Sequence, residues 1–299
     1  MPRSRDPPGV KLTRKEWHAR RTAHLERVSA LADAFVARRS RGAKHPVEDF
    51  LFTYYSVSPA KLKQWVPPLG TVIEVVDEDV ATCPWLCEAR FECAGGGLWL
   101  RDDTMTPHQR TLAGWITQLC TAVEARPARF RCFGLHEWAM VYQQTAEQVR
   151  HQGHELRLPA EELARFVESQ ALCCTHYDAF RFFTPEARPL NAFQPVLETR
   201  LEMEQGGCLH TNMDLYKWSA KLLPWIGSDL VGECFAHAWR GRRLDMRASP
   251  YDLRTLGYEP VCIETAEGRA VYEEEQRGLA EEAARLRARL REAAALLAG

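Results

Sequence analysis

The sequence predicts a mainly α fold: a single irregular helical-bundle-like domain with minor β structure and long loops. Three observations lead there. Apolar residues recur at helical spacing over most of the 299 residues. Thr13-Arg14-Lys15-Glu16 is a capping box, in which the Thr hydroxyl and the Glu carboxylate satisfy free amides at a helix start. Only Val72-Ile73-Glu74-Val75-Val76 reads as a short strand.

Behind the capping box, Trp17, Leu25, Val28, Leu31, Ala32, Phe35 and Val36 carry a helical stripe that ends near Arg41-Gly42. Residues 46–66 read as helix, turn, helix, broken at Ser58-Pro59. The stretch 67–107 is the least helical, and Gly95-Gly96-Gly97 requires a loop. Further helices are expected over 108–126, 135–151, 160–183, 211–223 and 227–243, with Phe193 to Glu204 extended. The last helix, 267–297, is rich in Ala and Arg with Glu–Arg pairs at i,i+4. The expected division is a basic N-terminal helical arm, 1–44, and a helical catalytic domain, 45–299.

Composition is ordinary for a globular chain: 45% hydrophobic, 26% charged, net charge −1. That excludes collagenous, mucin-like and disordered classes. No run approaches the roughly 18 apolar residues a membrane span needs. The N-terminus has no apolar core behind its basic residues, so a secretory signal is not expected. Asp6 and Glu16 argue against a transit peptide, and a cytoplasmic protein without a membrane partner is expected. Ten scattered cysteines read as free thiols of a reducing compartment. Cys83, Cys87 and Cys93 cluster, but without the paired knuckles of a structural zinc site.

Charge is uneven. Residues 1–44 carry twelve Lys/Arg and four Asp/Glu, so the arm is +8 and the remainder −9. Such an arm either binds nucleic acid or docks on the protein's own acidic surface, and the second is favoured.

The chemistry sits in helical segments that mix His, Asp, Glu, Arg, Tyr and Trp with apolar residues, where burial costs energy unless each polar group is paired. His45-Pro46-Val47-Glu48-Asp49 leads into Phe50, Phe52, Tyr54 and Tyr55. Its acids suit a helix start, or Asp49 faces an aromatic pocket. His136-Glu137-Trp138 opens an apolar run with no basic residue until Arg150. Asp178 and Arg181, after His176-Tyr177, are spaced to pair at i,i+3. His210 and Asp214 are i,i+4, followed by Tyr216, Lys217 and Trp218. Asp229, Glu233 and His237 form an i,i+4,i+8 stripe that fits a metal-lined bundle interior or a wet face. Asp245, Arg247 and Asp252 read as one structural charge network, or as a pocket wall.

The motifs HPVEDFLFTYY, GLHEWAMVY, HYDAFRFFTPEARPLN, GCLHTNMDLYKW, SDLVGECF and LDMRASPYDLRTLGYEPVCIET resemble a bacterial family commonly labelled 3-methyladenine DNA glycosylase. The resemblance runs from about residue 45 to 278, and no helix-hairpin-helix signature accompanies it. It implies a DNA-repair hydrolase that breaks the N-glycosidic bond of an alkylated purine without a cofactor. Asp49, Glu137, Asp178 and Asp214 would then be the catalytic carboxylates. Tyr55, His136, Trp138, His176, Tyr177, Arg181, Tyr216, Lys217, Trp218 and Arg247 would line the substrate pocket, and the basic arm would hold DNA.

A second reading is a metal-dependent helical-bundle oxidase or hydroxylase of a small molecule. Its iron or manganese ligands would come from His45, His136, Glu137, His176, Asp214, Asp229, Glu233 and His237. The chain has no Glu-x-x-His pair of the carboxylate-bridged type. A third reading is a non-catalytic, partner-binding helical protein.

Overall fold

The computed structural model describes residues 9–145, 148–149 and 153–299. Asp6, Arg150 and positions 146, 147 and 151 of the expected helix 135–151 lie outside the described residues. Among those described, the fold is mainly α with minor β: 58% helix in twelve helices, and one four-stranded sheet. None of these helices is long and apolar enough to cross a membrane. The chain forms two compact units. Unit 1 comprises residues 1–117, 216–236 and 289–299; unit 2 comprises 118–215 and 237–288.

In unit 1 the capping box forms as expected and starts α1 (Arg14–Ser40). Two short helices, α2 (Phe50–Thr53) and α3 (Pro59–Lys63), replace the longer pair expected over 46–66. Ser56 has a φ of +56°, which no helix accommodates, and Ser58 caps α3 by accepting the Lys61 amide. The strand expected at 72–76 is β2 (Thr71–Glu74), and α4 (Asp77–Thr82) follows it. It lies in a sheet of order β1-β2-β4-β3, with β1 (Val10–Leu12), β3 (Phe91–Ala94) and β4 (Gly97–Leu100). Gly95 and Gly96, expected as loop, are the two-residue turn of the β3–β4 hairpin. Both have positive φ, which a type I′ turn requires. After it comes α5 (Pro107–Ala125).

Three tryptophans of the unit 1 core, Trp17, Trp65 and Trp85, each donate the indole N–H to a hydrogen bond. Trp17 donates to the Glu74 carbonyl at 2.7 Å and Trp65 to Asp229 at 2.8 Å. Trp85 donates to the Trp65 carbonyl at 2.9 Å. Trp17 and Trp65 stack, with Leu12, Ile73, Leu86 and Leu98 packed around them. The indoles therefore bury their large apolar faces without stranding a donor.

The basic helix α1 spends three of its arginines on the unit's own acids. Arg14 holds Asp79 and Glu78, Arg20 reaches Asp229, and Arg38 binds Glu48 and Asp49.

Unit 2 is made mostly of short helices. The helix expected over 135–151 is only α6 (Leu135–Ala139). It begins at Gly134, whose φ of +71° would strain any residue with a side chain, and Gln143 at φ +55° breaks the run. The helix expected over 160–183 splits into α7 (Ala160–Ser169) and α8 (Tyr177–Phe180). Asn191 explains the break. Its amide accepts the Cys174 N–H at 2.8 Å and donates to the Cys174 carbonyl at 2.9 Å, which takes that backbone out of a helix. Residues 193–204, expected extended, turn instead through Leu197–Thr199 into α9 (Arg200–Met203). The Thr199 hydroxyl starts this turn by accepting the Val196 amide. The long helices form close to expectation: α10 (Leu209–Lys221), α11 (Ser228–Arg247) and α12 (Ala266–Ala298). All ten cysteines are free thiols.

Two glycine substitutions test this packing. A Cβ at Gly232 would lie 2.6 Å from His24, a wholly buried ring fixed at 2.7 Å to the Leu62 carbonyl. Gly232→Ala is expected to cost about 1–3 kcal/mol. Gly278, exposed within α12, has nothing near its Cβ position. Gly278→Ala should raise stability by about 0.5–1 kcal/mol. Urea unfolding of both variants checks the pair.

Candidate metal centre

Five segments of unit 2 bring ionisable side chains into one buried network. His136 and Glu137 come from α6, and His176 and Asp178 from the start of α8. Arg200 opens α9 and Glu204 ends it. His210 and Asp214 lie on α10, and Arg242 and Asp245 are i,i+3 on α11.

His136 is the hub of one end. Its Nε2 lies 3.5 Å from Asp245 Oδ1 and 3.7 Å from Glu137 Oε1. Arg242 Nη1 donates to Glu137 Oε1 at 2.8 Å and to Asp245 Oδ2 at 3.0 Å. His210 Nε2 lies 3.8 Å from Asp245 Oδ2, and its ring meets that of His136 edge to face, with centroids 4.2 Å apart. The His210 ring also lies 5.7 Å from that of His176.

At the other end, His176 Nε2 sits 3.3 Å from Asp214 Oδ2 and 3.7 Å from Glu204 Oε1. Arg200 Nη1 is 3.5 Å from Glu204 and 3.8 Å from Asp214. Arg200 also binds Asp178, which Arg181 reaches at 3.4 Å across the expected i,i+3 spacing.

The electrostatics follow from this geometry. Burial opposes charge on His136, but the Asp245 carboxylate overrides it and holds the imidazolium pKa well above the ordinary histidine value. Burial opposes charge on Glu137 too, yet Arg242 and His136 hold its pKa well below the usual carboxylate range. Asp245 is likewise lowered, against burial, by His136. His210 goes the other way: burial and the neighbouring His136 charge push it down to about 3. It is therefore a neutral imidazole with an available lone pair at neutral pH.

His136, His210 and Asp245 each offer a donor atom within 4.8 Å of the other two, and they form the metal-ligand cluster found among the described residues. Donors about 2.1 Å from one ion at right angles stand about 3 Å apart, so small side-chain shifts would close this set on a cation. Two histidines and one carboxylate with positions left open suit iron or manganese. Several polar atoms here lack a hydrogen bond: Asp245 Oδ1, Glu137 Oε2 and His176 Nδ1. Each such atom costs about 1–3 kcal/mol in a buried site.

The residues expected from sequence fall into two groups. His136, Glu137, His176, Asp178 and Asp214 belong to the network, with Arg181 at its margin. Trp138 lies in unit 2, where its indole donates to the Ala248 carbonyl, and the Arg200 guanidinium lies over the Tyr177 ring. Arg247 instead pairs with Glu275, and Asp252 with Arg254. The expected Asp245–Arg247–Asp252 network is thus divided among three different partners, because Asp245 is held by Arg242 one helical turn earlier.

Asp49, Tyr55, Tyr216, Lys217 and Trp218 lie in unit 1. Asp49 is bound by Arg38 and accepts the His45 amide, while Tyr55 packs edge-on against Tyr216. Lys217 lies over the Trp218 ring.

The proposed metal stripe on α11 does not converge. Asp229 binds Trp65 and Arg20, Glu233 binds Arg289, and His237 lies 3.5 Å from Glu282. His45 Nδ1 accepts the Val47 and Glu48 amides, which fixes a turn.

In the sequence, His210 shows only as the i,i+4 partner of Asp214, and nothing in its spacing marks it as a ligand. Glu204, Arg200 and Arg242 were missed. The Arg242–Asp245 spacing on one helix face was the available signal.

Against protein-family models, curated proteins and solved structures, the chain has no match. The site's own chemistry therefore carries the functional argument.

His237 supplies a test of acid stability. Both its ring nitrogens are buried without hydrogen bonds, and burial pushes its pKa down to about 4. The unfolded chain protonates this histidine near pH 6.5 and the folded chain only near 4, so stability falls as pH drops through that window. The contribution is at most about 3 kcal/mol. Denaturation series between pH 7 and 4.5 should show a shallower pH dependence in His237→Phe than in the natural chain.

Proposed function

We propose that this chain is a metal-dependent enzyme, an oxidase or hydroxylase of a small molecule. Its iron or manganese ion would be held by His136 Nε2, His210 Nε2 and the Asp245 carboxylate. The observation that carries this reading is the convergence of three donors from α6, α10 and α11, with His136 and Asp245 buried and His210 half-buried.

Charge supports it. Within the network, the carboxylates of Glu137, Asp178, Glu204, Asp214 and Asp245 face the guanidinium groups of Arg181, Arg200 and Arg242, and these eight side chains sum to −2, with the His136 proton to be given up when a metal binds. One divalent cation neutralises that charge in a setting where an uncompensated ion is costly. Such an ion would offer its open positions to dioxygen and substrate. His210 needs to lose no proton to bind it, whereas His136 must give one up, with the Glu137 Oε2 acceptor on the adjacent side chain. Arg242 holds one oxygen of Glu137 and one of Asp245, which fixes the orientation of both carboxylates.

The glycosylase reading has less geometric support. It needs a carboxylate ready to act on a flipped nucleotide, and Asp178 and Glu137 are each locked to buried guanidinium groups. It also draws on a basic arm for phosphate binding, and Arg14, Arg20 and Arg38 of that arm are occupied by acids of unit 1.

Elemental analysis of purified, untagged protein tests the proposal. The expected result is about one equivalent of iron or manganese, falling at least roughly tenfold in His210→Ala and Asp245→Asn while the circular dichroism stays unchanged. Folded protein that contains neither ion and takes up neither on addition would overturn it. Release of 3-methyladenine from alkylated DNA by that metal-free protein would establish the glycosylase reading in its place.

A further inference from the structure

We propose that unit 1 carries a separate binding site for a small aromatic carboxylate, lined by Lys61, Gln64, Trp85, Phe91 and Pro224. A cavity of about 350 Å³ opens between α3, the turn around Trp85, the start of β3 and the segment before α11. That volume lies within the range of small-molecule sites.

The ligand class follows from the lining. Trp85 and Phe91 are only half-buried, so aromatic surface remains open to the cavity. The Trp85 N–H is already donated to the Trp65 carbonyl, which fixes the indole plane and leaves its π-face as the part available to a ligand. Pro224 adds a rigid apolar surface. These groups select a flat, apolar body.

Polar groups select the charge. Arg90 and Glu88 in the lining pair with each other and cancel. Lys61 has no ion pair or side-chain hydrogen bond among the described residues, and neither has the Gln64 side-chain amide. One uncompensated ammonium beside a free amide suits a single carboxylate: the amine supplies charge and the amide a directed N–H donor. A dianion or a phosphate ester would meet only one cation. The site lies wholly within unit 1 and does not depend on the metal reading.

Calorimetric titration of the full chain with indole-3-acetate tests the proposal, with tryptamine as the cationic control of the same shape. Indole-3-acetate should bind in the micromolar to sub-millimolar range, and tryptamine at least roughly tenfold more weakly. Lys61→Glu should weaken indole-3-acetate binding by at least roughly tenfold without loss of fold, because Lys61 is exposed and contributes no pairing. His210→Ala should leave binding unchanged. Because Trp85→Leu also removes a structural hydrogen bond, Lys61→Glu is the deciding variant. Absence of binding below about 5 mM, equal affinity for tryptamine, or unchanged affinity in Lys61→Glu would each overturn the proposal.

Discussion

Keeping the charges of His136, Asp245, Glu137 and Arg242 together inside unit 2 is the constraint on which that unit depends. Four ionisable groups, all nearly fully buried, lie within a few ångströms of one another. Removing one partner of such a set leaves an uncompensated ion in low dielectric, at a cost of several kcal/mol. Apolar residues of the same volume would serve stability equally well or better. Perturbed titration concentrated in one spot marks this network as the candidate site, and the proposed metal chemistry would draw on it.

The backbone around the network is shaped to deliver these side chains. Gly134 takes a left-handed conformation that lets α6 start beside Tyr272, which places His136 and Glu137 on its first turn. Asn191 holds the backbone at Cys174 open, so His176 enters from an extended segment and not from a continuous helix. Arg200 and Glu204 stand at the two ends of a single turn, α9. Short helices suit this purpose. Each contributes its polar residues at an end, where the chain is already irregular, and none must carry a polar stripe through an apolar interface.

Long-range order was legible in the sequence where the signal was local. The capping box at Thr13–Glu16 and the apolar stripes of α1, α5, α10, α11 and α12 depend on residues within a few turns of one another. The breaks at Gln143 and at Cys174 were not legible. The first is a backbone conformation with no glycine to announce it, and the second is a side-chain bond across seventeen residues. Strands β3 and β4 were missed although Gly95-Gly96 was noticed, because Phe91–Ala94 and Gly97–Leu100 lack the β-branched run that marks Val72–Val76. In the site, His136, His176 and Asp214 stood out as polar residues among apolar neighbours. Asp245 was assigned to the wrong partners because Arg242 lies one turn before the polar motif that drew attention. Convergence of α6, α10 and α11 is a tertiary property, and sequence spacing within each helix does not contain it.

X-ray absorption at the iron edge of the iron-loaded protein tests the central claim most directly. The expected spectrum shows two imidazole nitrogens and carboxylate oxygen bound to the iron, with one imidazole lost in His210→Ala. A shell of oxygen alone, or one that His210→Ala leaves unchanged, would contradict it.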